Sequence, residues 1–226
     1  MKILRISAIA GFLMLCSCLT FAAATVQAVS GEVQVAPAKG DYGPLAFGQR
    51  VESGATIKTG GNGRVVLNFD DGQKVSISEG SLFVITDYKF NAHKPADSNF
   101  AVSLFKGGMR AVTGAIGDAN KSNVTIKTQV ATVGIRGTDF QLYMDNKLYI
   151  NVLSGAIVAT NEAGSLVFDA KTQPTGQVLS AQSRPTAAPP AAFPAAAQGA
   201  FRVQQHQPLM GPVSEPNPTD PSCKDR

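Results

Sequence analysis

An all-β fold is what this sequence predicts, and three features predict it. Apolar and polar residues alternate with period two in runs such as Val29-Ser30-Gly31-Glu32-Val33-Gln34-Val35 and Phe140 to Met144, the spacing of a half-buried strand. These runs are rich in β-branched residues and are separated by Gly, Asp, Asn and Ser. No long stretch places apolar residues at helical spacing. The expected architecture is a compact, stacked or solenoid-like β-sandwich of about ten to twelve short strands.

Taken in order, the 29–35 strand is followed by a loop with Pro37, Gly40 and Asp41. Leu45 to Ile57 then carries glycines between apolar residues, which reads as short strands and tight corners. The clearest local element is a hairpin, Val65 to Phe69 against Gln73 to Ile77, joined by Asp70-Asp71-Gly72. Asp-Gly supplies the positive φ that a tight turn needs, and the spacing of a calcium loop is absent. Strands follow at 82–90 and 102–112, the latter broken by Gly107-Gly108, with a polar loop holding His93 between them. Residues 114–122 read as a flexible connection, and strands at 148–153, 156–160 and 166–168 close the series. The pattern apolar-x-Gly-x-apolar recurs around Gly31, Gly107 and Gly155, at separations of 76 and 48 residues. That is no solenoid period, and it points instead to repeated corners.

The two ends differ from this body. Lys2 and Arg5, the apolar run 6–21 and Ala22-Ala23-Ala24 have the order of an export leader. Residues 1–24 are therefore expected to be a signal peptide ending at Ala24, with a second site at Val26-Gln27-Ala28. Leu15-Cys16-Ser17-Cys18 is a loose lipobox, so a lipid anchor is the alternative to a periplasmic or secreted chain. From about residue 183 the composition shifts: nine of the 13 prolines lie between Pro185 and Pro221. Such a segment lacks the apolar content to order itself, so 183–226 is expected to be a disordered tail behind a folded domain at 29–180.

Composition excludes several functions. Without the leader's two cations, 18 basic residues face 16 acidic ones, too even a balance for a nucleic-acid footprint. Removing the leader also leaves no segment for stable membrane insertion. Cys223 is then the one remaining cysteine, so a Cys223-linked dimer is the disulfide available and the core must supply the stability. His93 and His206, the two histidines, neighbour no candidate nucleophile, and too few ligands exist for zinc. Carboxylates such as Asp71, Asp139, Asp145 and Glu162 fall mostly in turns, where turn geometry accounts for them. The chain is expected to be no enzyme and to carry no cofactor or metal.

The least ordinary stretch is Thr128 to Phe140 (TQVATVGIRGTDF). Arg136 stands in an apolar, β-branched strand, bracketed by Gly134 and Gly137 and followed by Thr138, Asp139 and Phe140. Drawn inward, its guanidinium would need Asp139 or loop carbonyls as partners. Arg136 is therefore expected to be an internal tie, so that Arg136→Lys would cost about 2–4 kcal/mol. The other reading is a hold for an anionic ligand.

This stretch resembles the signature of the FecR domain, roughly T-P-x-A-x-V-G-V-R-G-T-x-F, with Gln129 in place of the proline. Leu45 to Gly60, the hairpin with Asp71 and Gly72, and Leu104 to Arg110 with Gly107 resemble the family's other landmarks. The resemblance spans about 29–177. It implies that Asp71, Gly72, Gly107, Gly134, Arg136, Gly137, Thr138 and Phe140 are structural signature positions. FecR-family proteins of iron-uptake signalling cross the inner membrane and pair a cytoplasmic sigma-factor segment with a periplasmic domain. Here the resemblance covers the periplasmic domain alone. It implies a non-catalytic envelope module that binds a protein partner through a sheet face or edge. The alternative is a glycan or peptidoglycan binder, disfavoured by the absence of tryptophan and the presence of four tyrosines only. A small outer-membrane barrel fits the polar turns and proline-rich tail poorly.

Overall fold

Alternating side chains build strands along nearly the whole of the described chain. The computed structural model describes residues 22–189, 193 and 194. The chain begins with β1 (Ala23–Ser30), β2 (Val33–Ala36), β3 (Gly43–Pro44), β4 (Arg50–Glu52) and β5 (Thr56–Thr59). The Asp-Gly hairpin joins β6 (Arg64–Phe69) to β7 (Lys74–Ile77); β8 (Leu82–Lys89) and the 14-residue β9 (Asn99–Val112) follow. After the short helix α1 (Ala115–Ala119) come β10 (Val124–Lys127), β11 (Thr132–Ile135), β12 (Asp139–Met144) and β13 (Leu148–Ser154). The last strands are β14 (Ala156–Asn161), β15 (Gly164–Asp169), β16 (Thr175–Val178) and β17 (Thr186–Ala187).

The strands form one continuous network, folded at β9 into two layers. Layer A runs β4-β1-β6-β7-β9-β12-β13-β16-β17, and layer B runs β3-β2-β5-β8-β9-β10-β11-β14-β15. Among the described residues only the β9–β10 pairing is parallel. Residues 99–106 of β9 pair with β8 in layer B, and 107–112 with β12 in layer A. The inward residues of both layers make one core. Phe69 of β6 meets Phe100 of β9 edge-on at 4.9 Å between centroids, and Tyr88 of β8 closes an aromatic trio at 5.0 Å from Phe69. Burying each such ring contributes about 1.5–3 kcal/mol. Among the described residues no helix is long and apolar enough to cross a membrane.

Several expectations change in detail. The structure has 17 strands among the described residues, more than the ten to twelve expected, because elements such as β3 and β17 are too short to show alternation. The folded body extends beyond 29–180 at both ends. Ala23 and Ala24, which read as leader, are fully buried in β1. At the other end β17 pairs with β16, and Phe193 is only 6% exposed, so the start of the proline-rich tail is attached. Residues 114–122 hold α1, with Ile116 and Gly117 buried. Residues 1–21 of the expected leader, and His206 and Cys223 in the tail, lie outside the described residues.

The recurring glycine pattern does mark corners. Gly31, Gly107 and Gly155 have φ of 65°, 80° and 72°, and at each the chain passes from one layer to the other. A Cβ at Gly31 would lie 2.2 Å from the Asn62 carbonyl oxygen, one at Gly107 2.2 Å from Ser81 Oγ, and one at Gly155 1.7 Å from the Gly137 carbonyl oxygen. Positive φ alone costs an L-residue about 1–2 kcal/mol, and here backbone closeness adds to it. Gly72 has φ 83° in open space. Gly155→Ala is therefore expected to lose more than about 2 kcal/mol and Gly72→Ala about 1 kcal/mol. Urea unfolding of the two variants would check this, and equal losses would refute the corner contact.

Candidate functional site

Gly134, Arg136, Gly137, Thr138 and Phe140 follow one another through β11 into β12, while Gly107 lies in β9 and Asp71 and Gly72 in the β6–β7 turn. Thr128–Ala131 is a turn rather than strand: the Thr128 amide donates to the Ala131 carbonyl at 2.9 Å, and the Thr128 hydroxyl donates to the same carbonyl at 2.8 Å. Gln129, the departure from the family pattern, donates its side-chain amide to the Phe105 carbonyl at 3.2 Å. Gly134 leaves room for Val158 of β14, whose Cγ1 would lie 3.3 Å from an added Cβ. Gly137 turns the chain from β11 into β12 with φ 74°. Thr138 is buried, and its amide donates to Thr113 Oγ1 at 2.9 Å. Phe140 is in the core.

Arg136 is not the internal tie. Its side chain is exposed; among the described residues only its backbone is anchored, the amide donating to the Ala156 carbonyl at 2.8 Å. The strand's alternation explains this, because Val133 and Ile135 take the inward positions and leave Thr132, Gly134 and Arg136 on the outer side of layer B. The tie is Arg110 of β9. Its Nε donates to Asp139 Oδ1 at 2.9 Å and its Nη2 to Asp139 Oδ2 at 2.7 Å, a bidentate pair with both side chains about one-fifth exposed, at 19% and 21%. Asp139, chiefly by this hydrogen bond, raises the guanidinium's pKa further. The expectation named the right carboxylate and the wrong arginine.

Polar side chains around this pair satisfy one another on the outer face of layer A. Asn151 Nδ2 donates to Gln141 Oε1 at 2.9 Å, and Lys147 Nζ to Gln177 Oε1 at 2.9 Å. Lys147 also stands 4.8 Å above the Tyr149 ring. Tyr143 and Tyr149 lie 6.3 Å apart, and Phe193 meets Tyr149 edge-on at 6.4 Å. Burial, followed by the charge of Asp145, raises the Tyr143 hydroxyl's pKa. The aromatic patch was missed in the sequence because Tyr143 and Tyr149 flank a turn and Phe193 arrives from the proline-rich end.

Asp71 is a second node. Its Oδ1 accepts from the Gln73 amide at 3.1 Å, its Oδ2 from the Ile116 amide at 3.4 Å, and its carbonyl from Ala115 at 2.9 Å. The Tyr88 hydroxyl accepts from the Asp71 amide at 3.1 Å. Asp71 therefore fastens α1 to the hairpin turn, beyond the turn-forming role expected of it. Burial pushes its carboxyl up, against the hydrogen bonds that lower it. The same burial, with Asp71 next in importance, pushes the Tyr88 hydroxyl well above its usual range. Among the described residues no group of three or more His, Cys, Asp or Glu could hold a metal ion. The arrangement is one of interlocked hydrogen bonds on a sheet face, chemistry suited to positioning and recognition.

Residues 55–158 match the family model described as FecR protein. The chain carries a FecR domain. The matched span runs from β5 to β14 and includes the hairpin, β9, Arg110, Asp139 and the signature turn. Two crystal structures of a candidate anti-sigma factor from Parabacteroides distasonis, at 1.65 and 2.50 Å resolution, are each 13% identical to this chain, with a TM-score of 0.39. The similarity covers 56% of this chain and 61% of theirs, so the chain spans less than two thirds of that relative. A cell surface anchoring domain is 33% identical over 27% of this chain and 80% of its own, with a TM-score of 0.26. No curated protein matches the chain.

Two measurements follow from the FecR domain's polar nodes. Arg110→Lys forfeits bidentate bonding in a mostly buried pair and is expected to lose about 1–3 kcal/mol, whereas Arg136→Lys is expected to stay within about 0.5 kcal/mol of wild type; chemical unfolding of both would reverse the assignment if their order were the opposite. For Asp71 the folded pKa is raised, so the folded state takes up its proton first as pH falls. Stability from this group is then fullest below the unfolded carboxylate value of about 3.9 and is lost as pH rises through the folded value. Against non-titrating Asp71→Asn, wild type is expected to gain relative stability as pH is lowered from 7 toward 4. A relative loss over that range would contradict the direction.

Proposed function

We propose that this FecR-domain chain is a non-catalytic, exported module of the bacterial envelope that binds a protein partner by strand addition. The observation that carries the reading is the free edge of layer B. β15 pairs with β14 in unbroken register from Gly164–Asn161 to Asp169–Ala156, and among the described residues no second strand adds to it; only its last residue, Asp169, is closed on the outer side, by a bridge to Gln173. Edges are ordinarily blunted by lysine, proline or a bulge. β15 reads Gly-Ser-Leu-Val-Phe-Asp and has none of these, with Val167 42% exposed. At one end Arg184 lies against Gly164, about 3.0 Å from where a Cβ would stand.

The neighbouring edge supports the same reading. In layer A the chain caps β16 with its own β17, where Ala188 donates to the Thr175 carbonyl at 3.2 Å and Thr175 Oγ1 donates to the Ala188 carbonyl. An edge of this fold thus accepts an extended segment, with main-chain bonds giving affinity and alternate side chains giving selectivity. Signalling through such a contact fits the family, and the partner would be an envelope protein presenting an extended strand.

Val167→Lys would guard the edge without touching the core. It is expected to melt within about 1 kcal/mol of wild type and to lose a defined protein partner that wild type retains from envelope extract. Unchanged capture would remove the edge from the interface. Co-sedimentation of both proteins with purified sacculi, with no protein partner, would favour peptidoglycan binding instead.

A further inference from the structure

Beyond the apolar run 6–21, three peptide bonds that follow an alanine meet the small-residue requirement for leader removal. They are Ala22–Ala23 with Thr20 two residues before Ala22, Ala24–Thr25 with Ala22 before it, and Ala28–Val29 with Val26 before it. The fold does not treat them alike. Ala23 and Ala24 are fully buried, and Ala23 pairs with Glu52 while Ala24 pairs with both Val51 and Phe69. The Ala23 amide nitrogen lies 2.9 Å from Asp70 Oδ2, and the Asp70 amide donates to the Ala23 carbonyl at 3.3 Å.

Cutting at Ala24–Thr25 would delete two closed-in strand residues and take from Asp70 its backbone partner. Cutting at Ala28–Val29 would also delete Val26, which is fully buried, donates to the Gln49 carbonyl at 3.0 Å and accepts from the Gly48 amide at 2.9 Å. The bond before Ala23 is the one whose loss leaves β1 whole. We propose that the leader is removed between Ala22 and Ala23, and that the new α-ammonium of Ala23 becomes an ion-pair partner of Asp70. The step is hydrolysis by an envelope leader peptidase. The C–N bond breaks, the hydroxyl of one water joins the Ala22 carbonyl carbon, and its proton goes to the Ala23 nitrogen. Asp70 already receives Arg50, with Nη2 at 3.0 Å from Oδ2 and Nη1 at 3.4 Å from Oδ1. The carboxylate would then join the N-terminus, β4 and the hairpin turn.

This inference rests on residues 1–24 containing an export leader. The test expresses the full chain in a bacterial host and reads the intact mass of the protein in the envelope fraction. The expected product starts at Ala23. A product starting at Thr25 or Val29, or at a lipid-bearing Cys18, overturns the proposal while leaving export intact; an uncut chain in the cytoplasm overturns the leader reading with it. Thr20→Arg, which alters none of the described residues, spoils the Ala22–Ala23 bond and spares Ala24–Thr25. It is expected to move the start to Thr25 or to accumulate uncut chain, and an N-terminus unchanged from wild type would also overturn the proposal.

Discussion

β9 hydrogen-bonds to four strands, β8 and β10 in one layer and β7 and β12 in the other. One strand can do this only if its backbone bends sharply midway, and Gly107 supplies the bend. The bend is held by buried hydroxyls. Ser81 Oγ donates to the Ser78 carbonyl at 2.8 Å and accepts from the Gly108 amide at 3.0 Å, while Thr59 Oγ1 donates to Ser78 at 2.7 Å and accepts from the Ser81 amide at 2.7 Å. Backbone groups buried at a corner have no ladder partner, and leaving them unpaired would cost more than any hydroxyl contributes elsewhere. The two layers share a core because this corner is closed on both counts, sterically and by hydrogen bonds.

The polar nodes of the domain tie elements that are remote in sequence. Arg110 and Asp139 join β9 to β12 across 29 residues, and Asp71 joins the hairpin to α1 across 45. Each secures a place where the chain leaves one layer, so the signature serves geometry first. The Arg136 amide is held by the Ala156 carbonyl, and its side chain stands on the outer side of layer B.

The two ends of the folded body show how the chain treats edges. β17 and Phe193 cover one end of layer A with residues of low intrinsic order, held by β16 and the tyrosine pair. β1 enters with two fully buried alanines, paired with β4 and β6. Both segments take their structure from the surface that receives them.

Local chemistry was legible from residue order. Period-two alternation marked the strands, Asp71-Gly72 the hairpin, and the recurring glycines the corners, because each depends on neighbours within a few residues. Arg136 was misread for a related reason: flanking glycines suggest a bend, but which face of β11 turns inward depends on β10 and β14. The Arg110–Asp139 pair, the parallel β9–β10 contact, the burial of Ala23 and Ala24 and the capping of β16 all depend on strands brought together from far along the chain. Sequence by itself determined that this is a sheet-built domain with glycine corners. Only the tertiary structure decided which charges meet and which strands pair, since register and layer pairing are set by the whole core.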